Sequence, residues 1–329
     1  MITKEANVMR AVVGVFVLLI SQLTYAGYEE REEVKVFIDD LVSEHQFDRD
    51  ALIAVFAKAE QKESILKAIA RPAEKRLEWA GYRKIFIKED RIKRGHDFLK
   101  KYADTFARAE AEYGVPAEII AAIIGVETRY GANKGSYRVV DALSTLAFDY
   151  PPRSKFFKSE LKQVFLLARE QGFSVDELKG SYAGAMGFGQ FIPSSYRHYA
   201  VDFDGDGVAD ILNNPVDAIG SVANYFVKHR WKAGEPVATQ VEYAGAADSE
   251  LFYKSLKPKH KLSELYQGGV SEVKGADDAS KSARLLLLNA DQGPQHWVTF
   301  HNFYVITRYN HSHLYAMAVF QLSEALRQK

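Results

Sequence analysis

Between Pro116 and Gly131 the chain reads PAEIIAAIIGVETRYG, and this segment limits what the whole protein can fold into. Ile119, Ile120, Ile123 and Ile124 recur at the spacing of one helical face, so the helix must be buried against other elements. Glu127 lies three and four positions beyond Ile124 and Ile123 and continues that face. Burial disfavours the charged form of a carboxyl and raises its pKa, as a general acid working near neutrality requires. The alternative reading is a structural glutamate paired with a cation. Arg129, two positions on, points elsewhere around a helix and is a poor local partner.

The rest of the chain must supply the partners for that helix. Val34, Phe37, Ile38, Leu41 and Val42, then Leu52, Val55 and Phe56, then Phe98, Leu99, Tyr102 and Phe106 repeat the helical spacing. Pro72 to Ile87 reads as a looser stretch. Further helices are expected at 116–130, 155–171 and 215–229, with Pro116 and Pro215 suited to first turns. After Gly234, Val237–Tyr243, Arg284–Asn289 and Trp297–Thr307 are β-branched and aromatic and predict short strands. A helix with Tyr315, Val319, Leu322 and Leu326 on one face closes the chain.

The fold class expected is mainly α (α+β). Its divisions are a leader at 1–26, a helical domain at 27–113, a core at 114–235, a small β domain at 236–300 and a C-terminal segment at 301–329. Lys4 and Arg10, the apolar run Ala11–Ile20 and the small residue Ala26 predict an export signal, too short to span a bilayer comfortably. The expected location is therefore the periplasm, in soluble form after cleavage. The 329 residues include 43 lysines and arginines against 43 acids, giving no bulk bias toward nucleic acid. The absence of cysteine rules out thiol catalysis and a lipid anchor on an N-terminal cysteine.

Four segments carry a resemblance: Glu127-TRY-Gly131, Gly180-SYAGAMGFGQFIPSS-Tyr196, Asn224-Tyr225-Phe226 and Arg308-YNHSHLYAMA-Val319. In this order they resemble the membrane-bound lytic transglycosylase B family. The resemblance implies a core similar to goose-type lysozyme, with an added helical domain and a small β domain. It implies cleavage of peptidoglycan glycan strands between N-acetylmuramic acid and N-acetylglucosamine without water. Glu127 would be the single acid and base, and the substrate's acetamido group would assist. It further implies a cleft lined by Ser181, Gln190, Phe191, Tyr225, Tyr309, Asn310, Tyr315 and Tyr82. No organic cofactor is implied, and proteins of wall synthesis are candidate partners beside the glycan.

The residues can be set against that scheme. Gly184, Gly187 and Gly189 would let backbone approach a sugar closely, while Ser181 and Gln190 offer hydrogen bonds to hydroxyl and acetamido groups. A two-carboxylate glycosidase needs a second acid; Asp141 reads as an N-cap and Asp149 precedes Pro151-Pro152, so both are taken as structural. One departure from the family pattern is visible. Tyr150-Pro151-Pro152-Arg153 leaves only Arg153, of an expected arginine pair, to meet an acidic peptide stem or muramyl group. A hydrolytic muramidase on the same fold and a non-catalytic peptidoglycan-binding scaffold remain as alternatives.

Asp202-FDGDGVA-Asp210 matches the first nine positions of an EF-hand loop. Asp202, Asp204 and Asp206 take positions one, three and five, Gly207 makes the turn, and Val208 offers a carbonyl. The twelfth position is Asn213, not glutamate; the family resemblance gives Asp217 the closing carboxylate instead. A structural calcium ion is expected, since so many acids would otherwise repel one another. His311 and His313 lack the further ligands that zinc needs.

Overall fold

The computed structural model describes residues 27–70, 77–246, 249–274, 276 and 278–328; the predicted export signal lies outside them. Six helices come first: α1 (Glu32–His45), α2 (Arg49–Ala57), α3 (Glu63–Ile69), α4 (Trp79–Phe86), α5 (Glu89–Lys101) and α6 (Ala103–Tyr113). α1 buries Val34, Phe37, Ile38 and Leu41, the face its spacing predicts. Asp48 caps α2, accepting from the Ala51 N–H at 2.8 Å. The stretch read as loose, Pro72–Ile87, contains α4, whose first residue Trp79 is fully buried.

The central helix α7 (Ala117–Thr128) is buried on all sides rather than along one stripe, from Ile119 through Val126 and again at Thr128. Glu127 is the break in that run, only half-buried. α7 packs against α14, α5, α11 and α6. It ends in three successive left-handed residues: Arg129 (φ 53°), Tyr130 (φ 59°) and Gly131 (φ 87°). Such angles are uncommon for residues other than glycine, and here they fold Tyr130 back into a notch between two helices. A Cβ on Gly95 of α5 would lie 2.4 Å from the Tyr130 hydroxyl, and one on Gly125 of α7 2.6 Å from it.

Around α7 come β1 (Tyr137–Arg138), α8 (Val139–Phe148), α9 (Ser154–Gln171), β2 (Lys179–Gly180), α10 (Pro193–Tyr199) and α11 (Pro215–Lys228). One continuous hydrophobic core runs from Tyr28 through α7 to Leu326, so the early helices and the central block are packed together. Asp141 is not the N-cap of α8, a position held by Arg138; it sits in the first turn.

The last part begins with β3 (Ala238–Val241), β4 (His260–Lys261) and α12 (Leu262–Gln267). It continues through β5 (Ser282–Ala290), β6 (Gly293–Thr299), α13 (His301–Tyr309) and α14 (His313–Arg327). The antiparallel sheet has order β3-β6-β5-β4. Alternation along β5 gives it two roles: Ala283 and Leu285 join a small second core with Leu262 and Leu265 of α12, while Leu286 and Leu288 face the main core. Trp297–Thr307, read as one strand, instead turns from β6 into α13. Phe303, Val305, Ile306 and Thr307 are all buried in that helix, and packing overrides their β propensity. Asn302 pins the turn, donating to the carbonyls of Lys232 (2.8 Å) and Glu235 (3.0 Å) and accepting from the Lys232 N–H (2.9 Å).

Candidate active site

Glu127 stands in the last turn of α7, the half-buried position between buried Val126 and Thr128. The Tyr315 hydroxyl, from the first turn of α14, donates a 2.5 Å hydrogen bond to its Oε1. Burial among apolar walls pushes the Glu127 carboxyl up to about 7, and the Tyr315 bond works in the opposite direction. Two more tyrosines are close enough to feel the Glu127 charge. Burial and that charge together raise the pKa of Tyr82, on α4, and of Tyr309, at the end of α13. Tyr309 and Tyr315 have nearly parallel rings, 6.4 Å apart at 10°. The structure thus brings Glu127, Tyr82, Tyr309 and Tyr315 together from four helices.

Tyr309 also fixes the wall. Its hydroxyl donates to the Gly189 carbonyl at 2.5 Å, and a Cβ on Gly189 would lie 2.7 Å from that hydroxyl. The glycines read as room for a sugar are filled by the protein itself: side chains on Gly184 and Gly187 would strike Leu143 and the Ile211 carbonyl. Ser181 Oγ accepts from the Ala185 N–H at 3.0 Å. The Gln190 amide donates to the carbonyls of Lys134 (3.1 Å) and Gly187 (2.9 Å). Both side chains therefore shape the loop. Phe191 is buried between Tyr225 and Tyr309, 5.8 Å from each ring, and Tyr225 donates to the Arg308 carbonyl at 2.6 Å.

Asn310 is exposed and follows α13 as its C-cap. Arg153 lies at the head of α9 with its guanidinium over Phe156 (4.4 Å) and Phe157 (5.1 Å); among the described residues no contact ties it to the tyrosine group.

Two residues escaped the sequence reading. Thr128, next to Glu127, donates to the Phe188 carbonyl at 2.9 Å and accepts from the Gly131 N–H at 2.9 Å, joining α7 to the glycine loop. His229 stacks on Tyr225 at 4.0 Å. Their four-residue spacing, from Tyr225 of α11 to its C-cap His229, is the signal that was there to be read.

The two other acids are otherwise engaged. Asp149 accepts from the Tyr28 hydroxyl at 2.5 Å and from Arg31 at 2.8 Å. Asp141 accepts from the Glu60 N–H at 3.1 Å and pairs with Arg138 at 3.1 Å. Both tie the N-terminal segments to α8. Among the described residues, no second carboxylate is among the groups that set the Glu127 pKa.

At the EF-hand-like loop, Asp202, Asp204 and Asp217 bring one carboxylate oxygen each to within 4.8 Å of one another. Asp206, expected in that set, accepts instead from the Val208 N–H at 2.9 Å. Val208 is half-exposed, and its carbonyl accepts from the Asp210 N–H at 3.0 Å. Asp217, fully buried on α11, accepts from the N–H groups of Phe203 (2.7 Å) and Asp210 (2.8 Å). Burial raises its pKa, and the charge of Asp204 adds to the rise. A cluster of hard oxygen donors around like charges fits a calcium ion.

With this geometry in place, comparison with known proteins is decisive. The family model described as Transglycosylase SLT domain matches residues 29–324. The chain belongs to the SLT transglycosylase family. This SLT transglycosylase is 44% identical over 299 residues to membrane-bound lytic murein transglycosylase B of Escherichia coli K12, covering 88% of this chain and 81% of that one. It is similar to the catenated lytic transglycosylase SltB1 of Pseudomonas aeruginosa, with TM-score 0.88 and 49% identity over 92% of this chain and 99% of that one. It is also similar to Escherichia coli lytic transglycosylase Slt35 in complex with calcium, with TM-score 0.83 and 43% identity over 90% and 93%.

Proposed function

We propose that this chain, a lytic murein transglycosylase acting on peptidoglycan, cleaves the bond between N-acetylmuramic acid and N-acetylglucosamine with Glu127 as its one acid and base. The observation that carries the reading is the Glu127 carboxyl, raised to about 7 by burial. Near neutral pH such a group is found in both protonation states, and the reaction uses both in turn. The acid form gives its proton to the leaving glycosidic oxygen as the C1–O bond breaks. The carboxylate then takes the proton of the muramic C6 hydroxyl, whose oxygen bonds to C1 and closes a 1,6-anhydro ring. The substrate's acetamido group stabilises the positive charge between the two steps, so a second carboxylate is not required. Tyr315 holds Glu127 in place, and Tyr82 and Tyr309 wall the reacting centre.

Ser181, Gln190, Phe191, Tyr225 and Asn310 complete the cleft in this reading, with Arg153 toward the muramyl end. Asp202, Asp204 and Asp217, with Asp206 and the Val208 carbonyl nearby, would hold a structural calcium that locks the loop onto α11. The N-terminal basic and apolar run directs the chain to the periplasm, where the sacculus lies. The four divisions 27–113, 114–235, 236–300 and 301–329 serve as the working domain plan.

The test is a digest of purified sacculi by the wild type and Glu127→Gln, read by mass spectrometry of the released muropeptides. Products one water lighter than hydrolysis products, lost in the variant, support the reading. Hydrated reducing ends would make the enzyme a muramidase, and binding without any product would make it a scaffold.

A further inference from the structure

A cavity opens beside the tyrosine group, between α4, the α13–α14 turn and the sheet. It measures about 690 Å³ and is lined by Leu77, Tyr82, Ile85, Lys254, Leu256, Arg284, His311, Ser312, His313 and Leu314. Tyr82 is its shared wall with the catalytic cleft. Apart from the Tyr82 phenol, its titratable lining is cationic or imidazole, and among the described residues it holds no carboxylate.

Arg284 is the unusual member. It lies on β5, on the face it shares with Leu286 and Leu288, and so points toward the helical body. It is 5% exposed. Its Nη2 donates to the Tyr253 carbonyl at 3.3 Å, while Nε and Nη1 are buried with no partner among the described residues. A buried guanidinium without a counter-ion is costly, and the natural partner for its planar fork is a carboxylate. Burial lowers its pKa, and its charge adds to the burial that lowers that of His313. Beside these groups Leu77 and Ile85 are exposed at 46% and 40%.

We propose that this cavity binds the acidic peptide stem of the glycan strand being cut, with Arg284 receiving a stem carboxylate and Lys254 assisting at the rim. This rests on the peptidoglycan reading above. A strand in the cleft at Tyr82 carries its stems outward from muramic acid, and the adjoining cavity offers what a short acidic peptide needs: one desolvated guanidinium, one exposed ammonium and an apolar floor for methyl groups. Arg153, stacked on phenylalanines at the head of α9, offers an exposed charge only. Arg284 is on this view a specificity-determining residue that acts on substrate choice.

The experiment compares kcat/KM on peptide-bearing strands and on the same strands stripped of stems by an amidase, for the wild type, Arg284→Met and Lys254→Gln. Methionine keeps most of the volume against the core while removing the charge. The expected result is a ratio, peptide-bearing over stripped, that falls at least about tenfold in Arg284→Met and by a smaller factor in Lys254→Gln. An equal loss on both substrates would mark a merely structural arginine and overturn the proposal, as would an unchanged ratio. If Arg284→Met does not fold, an unchanged ratio in Lys254→Gln overturns it. Failure of the underlying reading would look different: the wild type would release no anhydro product from either substrate.

Discussion

Tyr315 reaches Glu127 across 188 residues of sequence and donates a 2.5 Å hydrogen bond to its Oε1. The bond joins the first turn of α14 to the last turn of α7, two helices packed along each other. It sets one oxygen of the acid in a fixed direction and moderates the effect of burial on its pKa. Tyr315→Phe keeps the ring and removes the donor. With burial then unopposed, the Glu127 pKa rises further, so the limb on which activity declines with increasing pH moves upward. The fixed orientation is lost as well, and kcat/KM at pH 6 is expected to fall about tenfold, the equivalent of one ordinary hydrogen bond. A pH–rate profile checks both; a limb that stays in place or moves down would separate Tyr315 from the acid's titration.

Asp149 offers a control on the number of catalytic acids. Its two oxygens are committed to Tyr28 and Arg31, so Asp149→Asn is expected to lower stability by about 1–3 kcal/mol. Activity on sacculi at 25 °C should remain within about twofold. Thermal unfolding and product release measured on the same preparation separate the two effects. A variant that is stable and inactive would make Asp149 the second acid of a hydrolase.

The legible part of this protein was whatever a period could carry. α7, α9 and α11 stand within two residues of their expected limits, because each buries a regular apolar face or begins at a proline. α4 was missed because its eight residues mix Lys84 and Arg83 with Gly81, while its packing on α14 and β5 comes from distant parts of the chain. α13 was misread as strand because Val305 and Ile306 carry β propensity, while the fold buries them on a helix. Within the site, Glu127 could be found from its neighbours on one helix. The approach of Tyr82, and a buried Arg284 guanidinium without a carboxylate among the described residues, depend on distant segments meeting, and no local pattern encodes that.

The acidic loop predicts a response to metal. Asp202, Asp204 and Asp217 converge, while Gly205 and Gly207 adopt left-handed angles (φ 81° and 98°) that turn the loop around that point. Calcium at a hundredfold excess over its dissociation constant should stabilise the fold by about 2.7 kcal/mol. At roughly 2–4 °C per kcal/mol for a chain approaching this size, melting should move up by several degrees relative to chelator. Asp204→Asn, which keeps an acceptor for the Asp206 N–H, should abolish most of that difference. Coincident melting curves with calcium and with chelator would remove the ion from the account.

The raised pKa of Glu127 also makes a prediction about stability that is independent of catalysis. In the unfolded chain the carboxyl ionises near its ordinary value of 4.5, and in the folded protein near 7. Between these values the folded state holds the proton more tightly, so its stability falls as pH rises through the window and levels off above it. Glu127→Gln has no such proton to lose. The variant should match the wild type closely at pH 4.5 and become progressively more stable than it toward pH 8, by up to about 2–3 kcal/mol. Urea unfolding of both proteins at pH 4.5, 6 and 8 measures the difference directly, since every other titrating group is shared. Parallel curves, with no growth of the gap through that window, would mean that Glu127 ionises normally in the folded protein and would undercut its role as the acid.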